Sequence, residues 1–171
     1  MLFSCFFLQN LLFFSYKKIK NYQAKVTDSV TELFDIIRSK NKEEGLCKVV
    51  CGPGWEINED IVIEGQVYRW AGERKGKDDS NLILSIHKSQ GFDLNYAGVI
   101  FGKEIYYNKE KKRVEVNKRE LKDNFTKSDG DESMRQYLLN IYLTLMTRGI
   151  TGTYVYAVDE NLREYLKKFL N

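Results

Sequence analysis

Ser85-Ile86-His87-Lys88-Ser89-Gln90-Gly91-Phe92-Asp93-Leu94-Asn95-Tyr96-Ala97-Gly98-Val99-Ile100-Phe101-Gly102 reads as a strand, a polar loop and a second strand. Apolar runs about four to eight residues long, bounded by glycine and polar turn residues, suit parallel-sheet strands covered on both faces. The pattern predicts strands over 82–87 and 97–101. His87, Lys88, Ser89 and Gln90 then leave the first strand at its carboxyl end, the rim where open α/β sheets bind their ligands. Gly91 allows the backbone a close approach to a bound group. Taken alone, His87 also suits a satisfied position inside the strand.

Upstream, Val30, Leu33, Phe34 and Ile37 recur at helical spacing between a capping Thr27 or Asp28 and a stop at Gly45. Cys47–Cys51 is a strand ending in the turn Gly52-Pro53-Gly54-Trp55, which lacks the spacing and the lysine of a phosphate-binding loop. Asp60–Glu64 and Val67–Trp70 are edge-type extended pieces around Gly65, and 73–79 is a polar loop. Downstream, Ile105–Tyr107 and Arg113–Val116 flank the lysine-rich tip of a β-hairpin, suited to solvent or to a nucleic-acid backbone.

A short helical piece over 118–125 and a loop over 126–131 follow. The longest helix then runs from a cap at Ser128 or Asp131 to Arg148. Its apolar positions are Met134, Tyr137, Leu138, Ile141, Tyr142 and Leu145, and Gly149 and Gly152 terminate it. A strand over 153–158 and an amphipathic helix over 161–170 close the chain. This alternation predicts an α/β fold: a three-layer, Rossmann-like, mainly parallel sheet with a small β-hairpin insertion.

A chain of 171 residues suits one domain. We divide it into an apolar leader or helix over 1–22 and an α/β unit over 23–171. Residues 1–16 are apolar nearly throughout and precede Lys17, Lys18 and Lys20. A signal peptide wants charge before the run and small residues after it, a membrane tether wants about eighteen apolar residues, and a packing helix or leader wants neither. Cys47 and Cys51 would lie about 13 Å apart along a strand, too far for a bridge or a shared metal. With Cys5 the cysteines number three, and with one histidine there is no zinc set, so no metal site and a reducing, cytoplasmic setting are expected. The net charge of +3 permits nucleic-acid contact without requiring it.

Ile86-His87-Lys88-Ser89-Gln90-Gly91, with an acidic residue at Asp93 and then an apolar strand, resembles motif V of superfamily 1 DNA/RNA helicases. About fifty residues on, Tyr142-Leu143-Thr144-Leu145-Met146-Thr147-Arg148-Gly149, followed by a strand, resembles motif VI, an apolar helix ending in Leu-Thr-Arg. Together with Asn95–Ile100 and Thr147–Tyr156, these stretches are similar to the Schlafen group 3 helicase-like domain over about residues 22–171.

The resemblance implies the C-terminal RecA-like lobe of a two-lobed motor that holds ATP between its lobes. It implies a catalytic arginine finger at Arg148, and nucleotide contacts from Gln90, Gly91, Asp93, Thr147 and Arg148. Asp93 stands where the family usually has Glu, and its shorter side chain bears on the contact to the nucleotide sugar. His87, Lys88 and Ser89 are implied contacts to single-stranded DNA or RNA. Taken alone, Arg148 also suits a cation complementing a helix dipole. Ile150 occupies the place of the usual second arginine.

Neither Walker A nor Walker B occurs in the sequence, and Asp131-Glu132 begins a helix. ATP and Mg²⁺ are therefore expected only with a partner first lobe, in cis or in trans, and the chain alone is expected to hydrolyse no ATP. The leading expectation is a truncated or split motor lobe. The alternatives are a non-catalytic nucleic-acid-binding or regulatory module, and a small protein tethered to a membrane through residues 1–16.

Overall fold

The computed structural model describes residues 21–57, 59–71, 81–91, 93–122 and 130–170. In chain order the elements are β1 (Gln23–Val26), α1 (Val30–Glu44), β2 (Cys47–Cys51), β3 (Ile61–Ile63), β4 (Gln66–Trp70), β5 (Leu82–Ser85) and β6 (Leu94–Phe101). There follow β7 (Ile105–Asn108), β8 (Arg113–Val116), a 3₁₀ turn (Lys118–Glu120), α2 (Asp131–Met146), β9 (Gly149–Ala157) and α3 (Glu160–Leu170). Residues 1–16, the loop over 73–79, the last three residues of the expected 118–125 helical piece, and residues 126–129 of the expected loop, Ser128 among them, lie outside the described residues. Among the described residues no helix is long and apolar enough to cross a membrane.

Seven strands form one sheet in the order β1-β9-β6-β2-β5-β4-β3. Neighbours run parallel except β3, which returns antiparallel along β4. β7 and β8 make the separate antiparallel hairpin that the sequence suggests. The α/β, mainly parallel, three-layer architecture is thus the observed one.

Residues of β6 alternate between two cores, as period-two strands buried on both faces must. Tyr96 and Ile100 pack on one face with Val30, Leu33, Phe34 and Ile37 of α1. Ala97, Val99 and Phe101 pack on the other with α2 and α3. At Gly98 a Cβ would stand 2.8 Å from Ile37 Cγ1, so the missing side chain sets how closely α1 approaches the sheet.

Several local expectations shift by a few residues. Ser29 caps α1, accepting from Glu32 N at 3.0 Å, while Glu32 Oε2 accepts from Asp28 N at 2.9 Å. Thr27 is unavailable as a cap because it is buried and continues the ladder to Val155 O. Gly45 ends the helix at φ 70°, as expected. Gly130 is the N-cap of α2, and Asp131 is its first helical residue.

Gly149 and Gly152 lie inside β9 rather than before it. A Cβ at 152 would meet Gln23 O at 2.5 Å and Tyr96 Cε1 at 2.8 Å. Those glycines let β9 sit tightly between β1 and β6 where the β6 register shifts. Tyr137 is 44 % exposed, and the core stripe of α2 runs through Met134, Leu138, Leu139, Tyr142, Leu145 and Met146 instead.

Candidate functional site

β5 ends at Ser85, two residues before the predicted limit, because the chain turns there. Ser89 N donates to Ser85 O at 2.9 Å and Gln90 N to His87 O at 3.3 Å. Lys88 N donates to Ser85 Oγ, and Ser89 Oγ to Ile86 O at 2.8 Å. Gly91, at φ 80°, adopts the left-handed geometry that lets the chain leave this turn. His87 is therefore an exposed turn residue, not a strand residue.

Only eight residues separate the carboxyl end of β5 from the amino end of β6. So short a connection must run straight back beside the sheet. It passes on the face covered by α2, where Ile86 joins the α2-side core. There Ile86, His87, Ser89 and Gln90 form one wall of a cleft of about 270 Å³, and Tyr137, Asn140, Ile141, Thr144, Leu145 and Arg148 form the other. The cleft lies between a connection and a helix, not outside the carboxyl ends of the strands as the sequence suggested.

Arg148 sits at the lower end of this cleft, where Leu94 N donates to its carbonyl at 3.2 Å as β9 and β6 begin. Its Nε is shielded from solvent and has no hydrogen-bond partner. A buried guanidinium donor without an acceptor costs free energy unless something else supplies one. An anionic oxygen entering the cleft is the chemistry this donor lacks.

The remaining predicted residues divide. Gln90 is exposed on the cleft wall, and Ser89 is only 1 % exposed with its hydroxyl spent on the turn. Lys88 reaches out of the cleft and donates from Nζ to Ala71 O at 2.8 Å. Thr147 closes the end of α2, donating from its hydroxyl to Thr144 O at 3.0 Å. Asp93 is exposed just before β6 and, like Lys88, Gly91 and Thr147, does not line the cleft. Among the described residues no group of three or more His, Cys, Asp or Glu is placed to hold a metal ion. Cys47 and Cys51 are buried free thiols, both held above the ordinary cysteine range chiefly by burial.

Two features of this region were not read from the sequence. One is the polar face of α2: Tyr137, Asn140 and Thr144 recur at intervals of three and four, a spacing that could have marked a single helical face. The other is Glu104, fully buried at the carboxyl end of β6. It accepts a hydrogen bond from the Tyr142 hydroxyl, while its Oε2 is buried without a partner. Burial raises its carboxyl to about 7, against the lowering effect of the Tyr142 hydrogen bond. Nothing in the spacing around Glu104 distinguishes it from a surface acid.

Comparison with known proteins gives the fold a family. The family model described as Schlafen group 3, DNA/RNA helicase domain, matches residues 10–159. An uncharacterized protein of Saccharomyces cerevisiae, YPL245W, is 31 % identical over 87 % of this chain. The alignment covers 37 % of that yeast protein, so the chain spans well under half of its relative's length. No solved structure matches the chain. With most of its length matched in one register, the chain belongs to the Schlafen group 3 DNA/RNA helicase domain family.

Proposed function

We propose that this chain is the second motor lobe of a superfamily 1 helicase-like ATPase, and that it contributes Arg148 to an ATP site completed by a first RecA-like lobe. The supporting observation is Arg148 itself: a guanidinium whose Nε lacks an acceptor, beside Gln90 in a cleft formed by the motif V-like turn and the motif VI-like helix. A positioned cation of this kind stabilises charge that builds on a transferring phosphoryl group. Gln90 faces the nucleotide from the cleft wall, and Gly91, Asp93 and Thr147, neighbours in sequence of Gln90 and Arg148 that do not themselves line the cleft, are the further nucleotide contacts of this reading. ATP supplies the phosphoryl group when bound. The loop lysine and the Mg²⁺ carboxylates come from outside these 171 residues, since the sequence carries neither Walker motif.

His87 and Lys88, exposed on the same turn, are the proposed contacts to a single-stranded DNA or RNA backbone. Ser89 shapes the turn that presents them.

Phosphate release from ATP tests the reading, measured for the chain alone and for the chain mixed with a family first lobe carrying the phosphate-binding loop. No turnover is expected from the chain alone. The pair is expected to hydrolyse ATP, and Arg148→Ala to lower that turnover by about 10³-fold or more. Turnover by the isolated chain, or a pair indifferent to Arg148→Ala, overturns the proposal.

A further inference from the structure

A second cleft opens at the opposite, carboxyl rim of the sheet. The turn between β3 and β4 (Glu64-Gly65), the ends of β6 and β9, and the first turns of α3 enclose about 430 Å³. Glu64 and Gly65 both have positive φ, the geometry of a tight two-residue hairpin. That turn arrives here because Glu64 closes it onto the fold: its carboxylate accepts from the Tyr156 hydroxyl at 2.8 Å and from Val30 N at 3.1 Å. Glu64, the one acid lining the cleft among the described residues, is thereby engaged on both oxygens, one of them with the first turn of α1.

The cations of the cleft are far less committed. Arg163 lies with its guanidinium carbon 4.9 Å from the centre of the Tyr156 ring. Its Nη1 donates to the Asp28 carbonyl, and its Nε is buried without a partner. Lys103, exposed just past β6, lines the same cleft. Two cations thus flank an open hollow whose other walls are apolar, at Val62, Ile63 and Val158. Phosphate is the ligand chemistry that suits this arrangement, since a guanidinium and an ammonium group line one cleft.

We propose that this rim cleft binds a phosphodiester of single-stranded nucleic acid through Lys103 and Arg163, with the adjoining sugar against Val62 and Val158. A strand is favoured over a free anion because the two cations share the cleft with apolar residues, among them Val62 at 52 % exposed, which a sugar can cover and a bare anion cannot. The inference rests on the reading of this chain as a nucleic-acid motor lobe. It adds a contact about a sheet's height away from the Arg148 cleft, at the opposite ends of β6 and β9.

Fluorescence anisotropy of a labelled oligothymidylate, titrated with the full chain between about 50 and 200 mM salt, reads the contact. Lys103→Ala is expected to weaken binding several-fold and to lower the salt slope by about 0.7, the value of one single-strand phosphate contact. Arg163→Lys, which keeps the charge and loses the fork, is expected to weaken binding without abolishing the salt dependence. Lys42→Ala, exposed in the last turn of α1, serves as the control and should bind as wild type. Inorganic phosphate should compete only weakly.

The site is refuted by a wild-type chain that binds no oligonucleotide, by Lys103→Ala binding with an unchanged slope, or by tight binding of inorganic phosphate with none of the strand. Because the motor reading is scored by ATP turnover through Arg148, either result leaves the other assay interpretable.

Discussion

The Tyr142 hydroxyl on α2 donates to the Glu104 carboxylate just beyond β6, and the same hydroxyl accepts from Gly102 N at 3.0 Å. Through this pair α2, the helix that leads to Arg148, is tied to the carboxyl rim of the central strand. The Tyr142 ring also stacks on Phe101 at 4.0 Å between centroids. Both acidic groups of the pair are held above their ordinary ranges, mainly by burial.

Glu104 makes stability depend on pH. Its folded value of about 7 lies above the 4.5 of an exposed glutamate, so the folded state holds the proton more tightly. Its contribution is complete below about pH 4.5 and is lost as pH rises through about 7, a change of about 3 kcal/mol. Urea unfolding of wild type and Glu104→Gln across that window should show the wild type losing stability relative to the variant as pH rises. Parallel curves would show that Glu104 titrates as an ordinary surface acid.

Gly54 is occupied territory. A Cβ there would stand 1.9 Å from Glu104 Oε2, so Gly54→Ala forces the turn or the carboxylate to move. We expect a loss of about 1–3 kcal/mol, the usual cost of overpacking. The double variant Gly54→Ala/Glu104→Ala should be less destabilised than the sum of its parts, and simple additivity in denaturant melts would contradict the contact.

Ser29→Ala removes the side-chain acceptor for Glu32 N at the start of α1. A loss of about 1 kcal/mol is expected, and Ser29→Asp should restore most of it. Thr27→Ser, which keeps a hydroxyl but trims a methyl at a fully buried position, separates cap from core in the same melts.

Arg148→Ala should leave the fold's stability nearly unchanged, because its Nε forms no hydrogen bond that would be lost. Thermal unfolding within about 0.5 kcal/mol of wild type, together with the loss of turnover in the assembled pair, would separate a chemical role from a structural one. A strongly destabilised variant would instead make Arg148 part of the scaffold.

Much of the fold was readable along the chain. The β6 run and the stripe Val30, Leu33, Phe34, Ile37 report burial by their own period, and each occupies the expected element. Boundaries moved where a neighbour outweighed a local signal. Thr27 was drawn into the ladder by Val155, and Gly152 was needed by the backbone of Gln23. Tyr137 matched the apolar stripe of α2 by spacing yet faces the cleft, since periodicity cannot say where a stripe ends.

By itself the sequence determined the alternation of strands and helices, the parallel sheet this alternation requires, and which residue types stand at the two motif-like stretches. These are local properties, carried by side-chain period and turn chemistry. Only the tertiary structure decided that His87 and Gln90 share a cleft with Arg148 on the α2 face, that Glu104 is sealed beneath a glycine turn, and that Glu64 closes a hairpin onto Tyr156. Each of these meetings joins segments dozens of residues apart across a sheet whose spatial order departs from chain order, so the physical cause lies in the packing of the whole domain.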